Sequence, residues 1–89
     1  MIKGKTETGF EYEIPGKKLK DWSFKKAYSD YMKDRGDIDK YDALVVALLG
    51  KEQRDRLHEF ATDEEGCVDS DIIDETIVQI CEERSAKNS

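Results

Sequence analysis

Tyr41–Leu57 reads YDALVVALLGKEQRDRL, and how this stretch folds decides how the rest of the chain must fold. Between Tyr41 and Leu49 only Asp42 is polar. An apolar run of this length fits a strand or a buried helix. Ala and Leu outnumber Val, Asp37 or Asp39 can cap the start, and Gly50 can end the run, so a helix over 39–49 is expected. Asp39 and Asp42 suit the positive end of its dipole. A helix apolar on every side should be surrounded by other elements. The expected core residues are Leu44, Val45, Leu48 and Leu49.

The neighbouring segments supply the surroundings. Residues 2–14, IKGKTETGFEYEI, read as a β-hairpin. Phe10, Tyr12 and Ile14 alternate with Glu11 and Glu13, the pattern of a half-buried strand, and Thr8-Gly9 supplies the turn. Asp21 is placed to cap a helix over 21–34, with Phe24, Ala27, Tyr28 and Tyr31 on one face, Trp22 and Met32 widening it, and Arg35-Gly36 closing it. A third helix is expected over 51–62, striped by Gln53, Leu57, Phe60 and Ala61. After an acidic turn, Asp69 or Ser70 opens a helix over 70–84. Ile73, Ile77, Ile80 and Arg84 form its buried stripe, with Ile72, Thr76 and Cys81 alongside. The polar residues 85–89 are expected to fray. The order implies one α+β domain over 1–89, an N-terminal β-hairpin packed on a cluster of about four α-helices.

Composition narrows the function. The 89 residues carry a net charge of −6, with 40% charged and 37% apolar residues. A chain this short buries only about 60–65% of its unfolded surface, so its stability margin is small. Residues 1–26 balance to +3 and residues 27–89 to −9. Phosphate backbones repel so acidic a surface, which argues against nucleic-acid binding. No apolar stretch approaches the length of a membrane span, and the polar amino terminus lacks a signal-peptide core. Cys67 and Cys81 are expected as reduced thiols packed in the core.

Catalytic and metal motifs fail on their own requirements. His58-Glu59 opens like a zinc-protease helix, but Thr62 stands where the second His is needed. Ala61–Ile72 resembles a calcium loop around Gly66, yet Ala61 and Ile72 occupy the two positions that must carry carboxylates. No P-loop, dinucleotide fingerprint or nucleophile elbow occurs. No enzyme activity and no cofactor are therefore expected. The concentration of Trp22, Phe24, Tyr28 and Tyr31 on one short helix marks the candidate partner-binding face, because aromatic residues with polar edges favour interfaces.

Three segments together carry a resemblance. IKGKTETGFEYEIP, LLGKEQRDRL and DEEGCVDSDIIDETIVQI resemble the opening, the central helix–turn–helix and the closing helix of the small tail assembly chaperones of long-tailed phages and prophages. Residues 17–40 depart from that family in being rich in Lys and Tyr. The resemblance implies a non-enzymatic protein of the host bacterial cytoplasm, absent from the mature virion. It implies binding to the tape measure protein and recruitment of tail tube protein subunits around it. Many relatives are made in two lengths by ribosomal frameshifting, and Ala86-Lys87-Asn88 is compatible with the slip heptamer A AAA AAC. The rival reading is a small acidic regulator, an antitoxin or DNA-mimic inhibitor, using the acids of 63–65 and 69–75. The charge asymmetry along the chain is compatible with head-to-tail homo-oligomers, the alternative being solvated faces on a soluble protein. Sedimentation should find oligomers at low salt that dissociate as salt rises. A monomer at every salt and protein concentration refutes that expectation.

Overall fold

The computed structural model describes residues 1–88. They form an α+β fold, an antiparallel N-terminal hairpin followed by four helices. Strands β1 (Ile2–Lys5) and β2 (Glu11–Ile14) pair with Ile2 opposite Ile14 and Gly4 opposite Tyr12. The turn closes through Thr6 N–H to Phe10 C=O and Gly9 N–H to Thr6 C=O, with Gly9 at φ +102°. Its tip docks on the last helix: Thr8 Oγ1 lies 3.0 Å from Thr76 Oγ1, and Glu7 N–H donates to Gln79 Oε1.

A 3-10 turn (Lys18–Lys20) precedes helix α1 (Trp22–Lys33). Asp21 is its cap, accepting from Phe24 N–H at 3.2 Å. The helix stops at Asp34, before the expected Arg35-Gly36, because Asp34 N–H turns back to Tyr31 C=O and Gly36 takes no left-handed conformation. Asp37 then caps α2 (Ile38–Leu49), accepting from Asp39 N–H at 2.9 Å. The short connector returns α2 antiparallel to α1.

Gly50 alone separates α2 from α3 (Lys51–Ala61). Its φ of +84° with ψ 159° lies in backbone space that is essentially restricted to glycine, where a side chain costs about 1–3 kcal/mol. From α3 the chain makes an acidic turn, pairs Thr62 with Val68, and enters α4 (Ser70–Asn88). The Asp69 carboxylate accepts from Asp71 N–H, opening α4. Helix α4 runs to Asn88, four residues past the expected 84. The expected frayed tail begins within these last residues of α4, and Ser89 lies outside the described residues.

One core joins these elements. Leu48, Leu57 and Ile80 are wholly buried, with Leu44, Val45 and Leu49 from α2 and Phe10, Tyr12 and Ile14 from the hairpin. The α4 stripe is as its spacing predicts: Ile73, Thr76, Ile77, Ile80 and Arg84 are all buried. Two expectations fail. Cys67 is exposed rather than packed, because it sits in the acidic turn with no element above it. Helix α2 is not surrounded: Ala43 is exposed, and Val46 and Ala47 are only half-buried. The hairpin, α3 and α4 cover one broad face of it, and α1 borders the other without closing it.

Hairpin and helices are joined by the Gln53 side chain. Its amide donates to Glu13 C=O and to Leu49 C=O, both at 2.7 Å, and accepts from Glu13 N–H at 2.7 Å. A two-stranded sheet is marginal in water and depends on such docking. Replacing Gln53 by Ala removes three hydrogen bonds and should lower stability by about 1–3 kcal/mol. Denaturant unfolding measures this, and an unchanged midpoint would contradict it.

Candidate functional site

The four aromatic residues of the expected partner face do not share one surface. Phe24 is 6% exposed and belongs to the core. Tyr31 is half-buried and stacks on Tyr41 with ring centroids 5.1 Å apart. Tyr28 is 47% exposed beside Phe24, on the edge that also carries Met32. Trp22 is 77% exposed and stands on the opposite edge of α1. The clustering of aromatics in sequence thus separates into packing residues and two exposed edges, because residues 24, 27 and 31 point at α2 and residues 22 and 28 lie to either side.

Trp22 opens onto a groove of about 530 Å³ between α1 and α2. Ala27, Ala43, Val46 and Ala47 form its apolar floor, and Lys26, Asp30 and Lys40 rim it. Lys26 and Asp30 pair at 2.9 Å, and Lys40 lies 3.8 Å from Asp34. The Lys26 ammonium beside Asp30 holds that carboxyl below its ordinary value. Such exposed pairs contribute little to stability, but they fix where the charged rim ends and the apolar floor begins. Small floor residues let another backbone approach closely, and an indole on the rim offers a large flat contact with a polar edge. The sequence signal for this floor is the all-round apolarity of α2, which by itself implies complete burial.

A second concavity, about 1010 Å³, lies between the solvent face of the hairpin and α3. Lys3, Lys5, Glu11 and Glu13 meet Glu52, Asp55, Arg56 and Glu59 there. Charged side chains of both signs thus line it, together with Met1, Gly4 and Tyr12. The acidic turn is also committed locally: Asp63 Oδ1 accepts from Glu65 and Cys67 N–H, and Thr62 Oγ1 donates to His58 C=O. Among the described residues no group of three His, Cys, Asp or Glu side chains is placed to hold a metal ion. Among those residues, too, no helix is long and apolar enough to cross a membrane.

Behind the groove, Tyr41 joins α2 to α4. Its hydroxyl donates to Asp74 Oδ1 at 2.5 Å. Burial first, and the Asp74 carboxylate second, push the Tyr41 phenol far above its ordinary value. The folded state therefore holds this proton more tightly than the unfolded chain does. Its contribution is complete below about pH 10, the ordinary tyrosine value, and falls as pH rises beyond it. Tyr12 is raised in the same direction, chiefly by burial and then by Glu83. Tyr41→Phe should lower neutral-pH stability by about 1–2 kcal/mol and make stability less steeply dependent on pH above that point. Circular dichroism during alkaline titration tests this, and a variant with the parent's alkaline slope would refute it.

Comparison with protein-family models, curated proteins and solved structures finds no match to this chain.

Proposed function

We propose that this protein is a phage or prophage tail assembly chaperone, a non-enzymatic protein that binds the tape measure protein and helps recruit tail tube subunits. It works in the host bacterial cytoplasm, without a cofactor, and leaves before the virion is complete. The reading rests on the resemblance of the three segments quoted above, and one observation carries it physically: the apolar groove with Trp22 on its rim. A long helical client exposes apolar side chains along its length before it is enclosed. A groove floored by Ala27, Ala43, Val46 and Ala47 accepts such side chains, as grooves that bind amphipathic helices do. The net charge of −6 then keeps the pair soluble.

The acidic-regulator alternative draws on Asp63–Glu65 and Asp69–Glu75. Three of those carboxylates are already engaged within the chain, Asp63 and Asp69 on backbone N–H groups and Asp74 on Tyr41. That leaves a thinner acidic face to imitate phosphates.

Co-expression with a phage tape measure protein tests the proposal. The wild-type chain should hold the client in the soluble fraction and co-purify with it. Trp22→Ala and Ala43→Glu should each weaken binding at least tenfold, about 1.4 kcal/mol, while Val78→Ala on the exposed face of α4 leaves it intact. Binding that ignores both groove variants but vanishes in Asp71→Asn/Glu75→Gln would overturn the chaperone reading in favour of the acidic regulator.

A further inference from the structure

The two edges of the hairpin are treated differently. Thr6 bonds Phe10 across the turn, so Gly4/Tyr12 and Ile2/Ile14 are the hydrogen-bonded pairs of the ladder. Lys3, Lys5, Glu11 and Glu13 consequently turn their N–H and C=O groups outward. On the β2 side these groups are met by α3: Gln53 takes both groups of Glu13, and Arg56 Nη2 donates to Glu11 C=O. On the β1 side, among the described residues, nothing donates to or accepts from the outward backbone of Lys3 and Lys5. Neither Pro nor a bulge interrupts this edge, and both residues are exposed.

We propose that the outer edge of β1 is a docking site for an extended acidic segment of a partner protein, which adds a third strand to the hairpin. Charge selects the occupant. A second copy pairing β1 antiparallel to β1 would set lysines opposite lysines, which is destabilising. Within the hairpin, Lys3 and Lys5 already face Glu13 and Glu11. A strand with acids flanking Lys3 and Lys5 extends that alternation to acid–base–acid across three strands. Its intervening residues would be small or apolar, since they lie beside Ile2 and beside Gly4, over which the buried Tyr12 ring leans so closely that any Cβ on residue 4 would collide with it. Backbone hydrogen bonds then supply affinity, and the lysines supply register and sign, as in other strand-addition complexes. The site shares no residue with the groove between α1 and α2, so either can fail without the other.

The test is a titration of the isotope-labelled full chain with two synthetic eight-residue peptides, one alternating Glu with Val and one alternating Lys with Val. The acidic peptide should give saturable shifts and slowed hydrogen exchange at the Lys3 and Lys5 amides, and the basic peptide should give neither. Lys5→Pro deletes an outward N–H and no ladder bond, so it should keep native circular dichroism and lose at least tenfold in affinity. Should that variant unfold, Lys3→Glu/Lys5→Glu decides, by exchanging preference from the acidic to the basic peptide. The proposal is overturned by the absence of shifts at millimolar acidic peptide, or by equal response to both peptides. It is overturned equally by protection of Lys3 and Lys5 that appears without peptide and grows with protein concentration, which would mean pairing between copies.

Discussion

Glu13 lies on the outer edge of β2, where a third strand would normally receive its N–H and C=O. The carboxamide of Gln53 receives both instead. A primary amide carries a donor and an acceptor side by side, so one side chain imitates the peptide unit of a missing strand. The same nitrogen also donates to Leu49 C=O, one of the carbonyls that the end of α2 leaves without a helical partner. This geometry depends on Gly50, because only an abrupt turn there sets Gln53 back over the last turn of α2 and against the hairpin. One turn further along α3, Arg56 lies 5.0 Å from the Phe10 ring centroid and donates to Glu11 C=O. The segment GKEQRDR is thus a hinge followed by two clamps, and the hairpin is held by side chains more than by a sheet.

The far side of the hairpin is held by a different chemistry. Thr6, Thr8 and Thr76 hydroxyls form a chain from the turn to α4, at 2.6 and 3.0 Å, and Thr76 is wholly buried. Near the other end of the contact, Arg84 is 2% exposed, with its guanidinium 5.9 Å from the Tyr12 ring centroid and paired with Glu83. Tyr12 Oη and Arg84 Nε are both buried in this cluster, where Glu83 follows burial in raising the Tyr12 phenol. Removing water from such groups is compensated only where a partner replaces it.

Local patterns read correctly where one residue or one period decides the outcome. The alternation of Phe10, Tyr12 and Ile14 gave the buried face of β2, and Asp21 and Asp37 capped the helices they precede. The α4 stripe was legible down to Arg84, because four-residue spacing places it one turn beyond Ile80. Features that depend on what lies across space were not legible. Gln53 appeared as part of an apolar stripe, whereas its role requires knowing that Glu13 stands opposite. Tyr31 appeared as interface, whereas Tyr41 takes its ring. The groove was hidden for a related reason: the count of apolar residues in α2 is visible in the sequence, but the number of neighbours able to cover them is not.

That last mismatch bears on function through size alone. Covering a helix on every side takes several elements, and here the hairpin, α3 and α4 all converge on the face bearing Leu44, Val45, Leu48 and Leu49. Among the described residues only α1 borders the other face, and it meets α2 along a line that includes Ala27, leaving Ala43, Val46 and Ala47 beside open space. Replacing those three by charged residues would end the exposure without disturbing the buried face. The sequence instead keeps them small and apolar, with Lys26, Asp30 and Lys40 confined to the rim. A short chain of marginal stability can keep such a strip if another molecule covers it, since binding to the folded state alone adds stability by mass action. A molecule seated in the groove would then add to the stability of the fold.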